Sequence, residues 1–341
     1  VLDGEIKLLV SYITVIGGGS WGTALAILLA KKDYDVTLWA FEKDVVDTIK
    51  ETRVNEVYLP GVEVPENLNV TNSLEDCVPS ARYLVSVVPT QFVRSVMKSV
   101  ASLIRDDAVV VSASKGVEKG TLKTVSDVLS ELVRNKIAVL SGPSFAKEVV
   151  KEMPTAVTLA AYDNEVAYML QEIFNTEYFR VYTHFDVKGV EIGGALKNVL
   201  AIASGICEGL GLGRNTRAAL ITRGIAEMLR LGLKMGADPQ TFSGLSGMGD
   251  IILTCTSTMS RNYTVGVKLG QGMKLSEIIS STKSVAEGVE TSISALELSK
   301  KKNVDMPIVE QVFKVLHEDK HPKEALVELM NRPLKTEFYT E

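Results

Sequence analysis

Tyr12-Ile13-Thr14-Val15-Ile16, then Gly17-Gly18-Gly19-Ser20-Trp21-Gly22, then the apolar run Thr23 to Ala30, constrain the fold more than any other part of the chain. A β-rich apolar segment, a G-x-G-x-x-G turn and an apolar helix in direct succession open a dinucleotide-binding sheet. Gly17 permits the tight turn, Gly19 lets backbone approach a pyrophosphate, and Gly22 lets helix and strand pack closely. The helix aims its first amides and the positive end of its dipole at the phosphates, with Ser20 and Trp21 at its start. A glycine pattern alone is weak, but a strand before it and a helix after it leave little room for a ligand-free turn.

The second strand is Asp35-Val36-Thr37-Leu38-Trp39-Ala40, followed by Phe41-Glu42. An acidic group at that strand end accepts from ribose hydroxyls and repels a 2′-phosphate. Glu42 therefore favours NAD, Phe41 offers a ring to the adenine, and the nearby Lys43 keeps NADP possible. Further strand-like runs are 67–71, 82–88, 108–113, 137–140, 154–160 and 178–182, with amphipathic helices such as 92–103 and 121–133 between them. Continuous apolar strands alternating with helices predict a parallel sheet buried on both faces. Ligands then bind beyond the carboxyl ends of the strands, where Phe92, Lys115 and the turn Ser141-Gly142-Pro143-Ser144 fall.

From residue 187 onward helical periodicity takes over. The expected architecture is an α/β Rossmann-type dinucleotide-binding domain over 1–186 followed by an all-α domain over 187–341. The helical part begins with Gly193-Gly194-Ala195-Leu196-Lys197-Asn198, which sets one cation among apolar residues. Gly193, Gly194, Ala201 and Ser204 share the face of Lys197 and allow a close neighbour. Two readings of Lys197 stand: a lysine snorkelling to water along its stem, or a reactive ammonium aimed into a cleft. Residues 209–215 and 244–250 read as glycine-rich loops, the second delivering Asp250. Ser260-Arg261-Asn262 reads as a capped helix start suited to phosphate, through free amides, a guanidinium and an amide side chain. Val285-Ala286-Glu287-Gly288 precedes another helix, with Glu287 placed to complement its dipole.

Composition excludes several classes. A net charge of −5 offers no general field for nucleic acid, so an anionic ligand depends on local donors. Cys77, Cys207 and Cys255 form neither a C-x-x-C pair nor a disulfide framework, which fits a reducing cytoplasm. With His184, His317 and His321 they make no metal-ligand spacing, so no metal site is expected. No apolar run reads as a bilayer span, and the first residues lack the pattern of a signal peptide. The glycines around Ser246 sit at the wrong offsets for a nucleophile elbow, which removes the hydrolase reading.

Taken in order, the segments 17–22, 88–92, 114–116, 141–146, 194–198, 249–250 with 253–255, 260–262 and 286–288 resemble glycerol-3-phosphate dehydrogenase over nearly the whole chain. The resemblance implies reversible hydride transfer between NAD(P)H and dihydroxyacetone phosphate, giving sn-glycerol 3-phosphate for glycerophospholipid synthesis. It implies a homodimer acting on a small phosphorylated triose, without nucleic acid or membrane span. By the same resemblance Lys197 is the catalytic proton donor and acceptor, with Lys115 and Asp250 beside it. Lys115, Gly142, Ser144, Asp250, Ser260, Arg261 and Asn262 match substrate contacts. Ser20, Trp21, Phe41, Phe92, Lys115, Ala146, Arg261, Val285 and Glu287 match cofactor contacts. Many bacterial members carry a basic residue where this chain has Phe41-Glu42, and the departure again favours NAD. Two rivals remain: a lysine-dependent reductase of the ketopantoate reductase or 6-phosphogluconate dehydrogenase type, and a non-catalytic NAD-binding redox sensor.

Overall fold

The computed structural model describes residues 12–281, 286–334 and 336–337. The first half is a single eight-stranded sheet with helices on both faces. In chain order its elements are β1 (Tyr12–Ile16), α1 (Ser20–Ala30), β2 (Asp35–Trp39), α2 (Lys43–Thr52), β3 (Val54–Asn55), β4 (Leu59–Glu63), β5 (Leu68–Thr71), α3 (Leu74–Cys77) and β6 (Tyr83–Ser86). There follow α4 (Thr90–Val100), β7 (Val109–Ser112), α5 (Val125–Leu132), β8 (Lys136–Ser141), α6 (Ala146–Val149), β9 (Thr155–Ala161), α7 (Asn164–Phe174) and β10 (Phe179–His184). The sheet order is β10-β9-β8-β7-β6-β1-β2-β5, so the strand order reverses beside β1. That reversal opens a crevice at the carboxyl ends of β1 and β6, where the glycine turn sits.

The turn requires its glycines. Gly17 has φ +126°, and a Cβ there would press on Val87 O at 2.8 Å. A Cβ at Gly22 would collide with Gly17 O, so α1 could not lie this close to β1. Gly19 caps α1 without a side-chain hydrogen bond, which leaves the first-turn amides available.

One expectation about the sheet is corrected. It is not wholly parallel: β8 and β9 pair antiparallel, with Ala138 opposite Ala161 and Ser141 opposite Thr158. Strands β9 and β10 run parallel to each other and against the rest. Continuous apolar runs report burial on both faces, and burial is blind to strand direction. The β8–β9 connection, with the single turn of α6, stays at one edge and returns the chain from there. The hairpin β3–β4 was also not expected; its strands are too short to show an alternating pattern.

The second half comprises α8 (Val187–Gly209), α9 (Arg214–Lys234), α10 (Asp250–Thr256), α11 (Arg261–Gly270), α12 (Leu275–Ser280), α13 (Glu287–Lys301), α14 (Pro307–His317) and α15 (Pro322–Met330). Helix α8 carries Lys197 and starts before Gly193, the residue at which the sequence pattern began it, its N-terminus capped by Asp186 accepting from Gly189 N at 2.8 Å. It is apolar on all sides because neighbouring helices surround it. Among the described residues α8 is long and apolar enough to cross a membrane, yet nearly all of it is buried, so its apolarity serves this core.

Small residues set the packing around α8. Its glycines Gly205 and Gly209 face Gly266 and Gly270 of α11, and a Cβ at any of these positions would overlap a carbonyl oxygen of the facing helix. The face shared with Lys197 meets other elements: Gly193 lies against Ser246 O, and Ser204 Oγ donates to Cys255 O at 2.7 Å. The segment expected as a glycine-rich loop at 244–250 is instead a π-helical turn, Leu245–Gly249, that leads directly into α10. Backbone there packs on Gly193, a constraint that favours one wide helical turn over an open loop.

Candidate active site

A cleft of about 620 Å³ runs along the carboxyl edge of the sheet and is closed from above by the helical half. Its wall includes the glycine turn, Phe41 and Glu42 beyond β2, Phe92 on α4, and Lys115 beyond β7. Strand order therefore sets Phe41 and Glu42 on one side of β1 and Lys115 on the other. Phe41 is 78% exposed and Phe92 56% exposed, so each leaves a ring face free for a flat ligand. A Cβ added at Gly19 would meet nothing within 4 Å, which leaves room for a phosphate at the uncapped start of α1. Together these features fit a dinucleotide.

At the floor of the cleft Asp250 joins two lysines. Lys197 Nζ donates to Asp250 Oδ1 at 2.7 Å and Lys115 Nζ donates to Oδ2 at 2.8 Å. Thr254, one turn along α10, accepts from Lys197 Nζ at 3.1 Å and donates to Oδ1 at 3.2 Å. Lys115 also donates to Gly142 O at 3.0 Å. Asp250 is only 1% exposed, and burial pushes its pKa up. The ammonium groups of Lys115 and Lys197 outweigh burial and hold it below the ordinary carboxylate range. Burial lowers Lys115 to about 8; Asp250 opposes that shift and Lys197 adds to it. Lys197 thus does not snorkel to water: its ammonium is spent on a buried carboxylate at the cleft floor.

Glu287 does more than complement a helix dipole. It opens α13, and its Oε1 accepts from Thr90 N at 3.0 Å and Thr90 Oγ1 at 3.2 Å, so it ties the helical half to the start of α4. Burial raises its pKa, against the Thr90 hydrogen bonds and the two lysines. Arg261 begins α11, and its Nη2 donates to Ser20 Oγ at 2.8 Å across the cleft. Ser260 caps the same helix, accepting from Tyr263 N at 3.2 Å.

Asn262, matched above to a substrate contact, hydrogen-bonds within the helical half. Its Nδ2 donates to Asn198 Oδ1 at 2.9 Å and its Oδ1 accepts from Gly288 N at 2.9 Å. Asn198 in turn donates to Lys115 O at 3.2 Å. The pair fixes α8, α11 and α13 relative to the loop that carries Lys115.

Of the other expected residues, Gly17, Gly19, Ser20, Trp21, Gly22 and Ser144 line the cleft. Ser144 Oγ donates to Gly142 O at 3.1 Å. Asp250, Gly142, Ser260 and Asn262 stand behind the wall, touching residues that form it. Ala146 packs beside the sheet core at the start of α6 and is not part of the wall. Val285 lies outside the described residues. Sequence reasoning gave no role to Thr254, Thr90, Asn55 or Tyr58. The first stands one turn from Asp250, a spacing that could have flagged it; the other three depend on partners remote in sequence.

A second cavity, of about 740 Å³, lies among α8, α9, α14 and α15. It is larger but mainly aliphatic, and neither Lys197, Lys115, Asp250 nor the glycine turn borders it. The converging charges and the glycine turn identify the smaller cleft as the reactive one.

Comparison with known proteins adds relatives to this geometry. A family model described as NAD-dependent glycerol-3-phosphate dehydrogenase N-terminus matches residues 12–167, and its C-terminal companion matches 186–327. A Geobacter sulfurreducens protein named glycerol-3-phosphate dehydrogenase [NAD(P)+] is 56% identical, over 95% of this chain and 98% of its own. The crystal structure of glycerol-3-phosphate dehydrogenase from Coxiella burnetii superimposes with a TM-score of 0.92 at 40% identity, over 95% of this chain and 100% of that one. A Ralstonia eutropha ketopantoate reductase reaches a TM-score of 0.59 at 13% identity, covering 92% of this chain and 99% of its own, and shares the fold alone.

Proposed function

This chain belongs to the NAD-dependent glycerol-3-phosphate dehydrogenase family and is an NAD(P)-dependent oxidoreductase, and we propose that its cleft carries out the family reaction with Lys197 as proton donor. The reaction reduces dihydroxyacetone phosphate to sn-glycerol 3-phosphate, reversibly. The observation that carries the assignment of roles is the pairing of Lys197 and Lys115 on one buried carboxylate at the floor of a dinucleotide-shaped cleft.

When bound, the nicotinamide supplies hydride from C4 to the ketone carbon. As that C–H bond forms, the carbonyl electron pair moves to oxygen, and the Lys197 ammonium stabilises the charge and transfers a proton to it. Asp250 aims both ammonium groups, and Thr254 fixes the rotation of Asp250 from the next turn. Arg261 and the free amides at the start of α11 receive the phosphate end, which holds the ketone in place. Local donors let an anionic substrate bind a protein of net charge −5. In the reverse direction neutral Lys197 takes the hydroxyl proton.

NADH is the favoured cofactor in this reading, because Glu42 stands at the end of β2 and Lys43 spends its ammonium on Asp47, at 2.5 Å. We place the division between cofactor and substrate halves at residues 186 and 187. A cytoplasmic homodimer completes the proposal, with the product serving glycerophospholipid synthesis. Three free, buried cysteines support a reducing compartment. Helix α9 buries only Gly224, Glu227, Met228, Leu231 and Gly232 over its whole length, which supports a further subunit against it. Sedimentation would read the subunit number.

The decisive test is NADH oxidation by dihydroxyacetone phosphate. Turnover is expected, with unphosphorylated dihydroxyacetone a far poorer substrate. No oxidation by correctly folded protein would overturn the assignment.

A further inference from the structure

The hairpin β3–β4 lies outside the motifs that suggested the function, yet it reaches the cofactor end of the cleft. Between its strands Tyr58 borders the cleft together with Glu42. The Tyr58 hydroxyl donates to Glu42 Oε1 at 2.8 Å. Tyr58 itself is held from below: its N–H donates to Asn55 Oδ1 at 3.1 Å. Asn55 is 1% exposed, and its Nδ2 donates to Gly18 O at 2.9 Å and to Thr23 Oγ1 at 2.8 Å. The base of the hairpin is fixed as well, with Arg53 Nε donating to Val64 O and Nη2 to Leu68 O, both at 3.2 Å. An unbroken chain of hydrogen bonds thus runs from the phosphate-binding turn through Asn55 and Tyr58 to the acidic residue after β2.

We propose that Tyr58 is a positioning residue for cofactor choice: by taking one carboxylate oxygen of Glu42 it aims the other at the ribose and stops the charge from swinging away from a 2′-phosphate. The inference rests on the reading that Glu42 faces the ribose. A glutamate on a half-buried loop has several rotamers, and a carboxylate free to rotate relaxes away from an approaching anion at little cost. Discrimination by repulsion requires that the charge be unable to leave. Tyr58 supplies that restraint, and the glycine turn is its ultimate anchor, so phosphate site and ribose site are set in one frame. Its hydroxyl remains a donor across the working range, since burial first and the Glu42 carboxylate second push its pKa up to about 12. Lys43 does not compete for Glu42, being paired along α2 with Asp47.

The test compares kcat/KM for NADH and NADPH at fixed ionic strength in wild type and four variants. Tyr58→Phe keeps the ring and removes the donor; the NADH:NADPH ratio is expected to fall about tenfold, the weight of one oriented hydrogen bond to a charged group. Tyr58→Leu removes ring and donor together while leaving Glu42 at full length, and the ratio should fall similarly; this variant decides the matter if Tyr58→Phe does not fold. Glu42→Gln removes the charge and tests the underlying reading. Adding Tyr58→Phe to Glu42→Gln should then change nothing more, because Tyr58 acts through the charge. Competitive inhibition by adenosine 2′,5′-bisphosphate against 5′-AMP reads the ribose end apart from catalysis, and Tyr58→Phe should favour the bisphosphate. If Glu42→Gln leaves the ratio unchanged, the reading of Glu42 is wrong and the inference goes with it. If Glu42→Gln lowers the ratio while Tyr58→Phe and Tyr58→Leu do not, Glu42 acts without Tyr58, and the inference alone is overturned.

Discussion

Replacing Lys197 by methionine separates chemistry from architecture. The substitution keeps an unbranched apolar stem in α8 and deletes the ammonium. The carboxylate left behind is not orphaned: Asp250 Oδ2 keeps Lys115 Nζ at 2.8 Å, and Oδ1 keeps Thr254 Oγ1 at 3.2 Å. What is lost is the hydrogen bond to the Asp250 carboxylate, about 1.5–3 kcal/mol, together with a longer one to Thr254 Oγ1. Part of that is returned, because an ammonium no longer has to be desolvated, so the net loss of stability should be about 1 kcal/mol. Turnover should fall about 10²–10⁴-fold, as for a lost general acid. Asp250→Asn has the opposite profile. It leaves two ammonium groups against a neutral amide, and removal of one partner from a buried ionic cluster costs about 3–5 kcal/mol. Dinucleotide affinity should barely change in Lys197→Met; thermal unfolding, NADH titration by fluorescence and initial rates with dihydroxyacetone phosphate measure stability, affinity and turnover. Lys197→Met turning over within about tenfold of wild type would refute its role as proton donor. Asp250→Asn as stable as wild type would refute the electrostatic account of the cluster.

Further expectations follow from other parts of the site. Because Lys115 titrates near 8, kcat/KM for dihydroxyacetone phosphate should decline as pH rises above about 8, as this positive charge is lost in the free enzyme; a profile flat through that range would contradict its part in binding. Stability moves the other way: at this lysine the folded state binds fewer protons than the unfolded one between pH 8 and the ordinary lysine value of 10.5, so this group adds stability as pH rises through that window, readable in urea titrations. Arg261→Ala should lower kcat/KM for dihydroxyacetone phosphate by at least about tenfold through the loss of a charged donor, which steady-state kinetics would show. Gly205→Ala sets a methyl group against Tyr263 O and should cost about 1–3 kcal/mol or more, seen as a lower Tm, since α8 and α11 must part to admit it.

The sequence by itself determined whatever depends on neighbouring residues. The strand, glycine turn and helix at 12–30 are contiguous; Gly17 and Gly22 are there for steric reasons, and Gly19 leaves room for a ligand. Apolar runs located the sheet strands to within a few residues, the start of α8 at Val187 lay well ahead of the segment that revealed it, and the Ser260 cap was visible as a residue type at a helix start. Lys197 stood out as a cation in an apolar helix, but the same pattern suits a snorkelling lysine. Only the tertiary structure decided between the two readings, because the deciding group, Asp250, is 53 residues from Lys197 and 135 from Lys115. The reversal of β9 and β10 escaped detection because a strand buried on both faces reads alike in either direction. Glu287 on Thr90, Asn262 on Asn198 and Tyr58 on Glu42 are likewise products of packing, each partner ordinary in its own local sequence. Local pattern encodes which face of an element is buried; which polar groups meet across the buried space depends on how close the backbones come, and here Gly205, Gly209, Gly266 and Gly270 set that distance between α8 and α11.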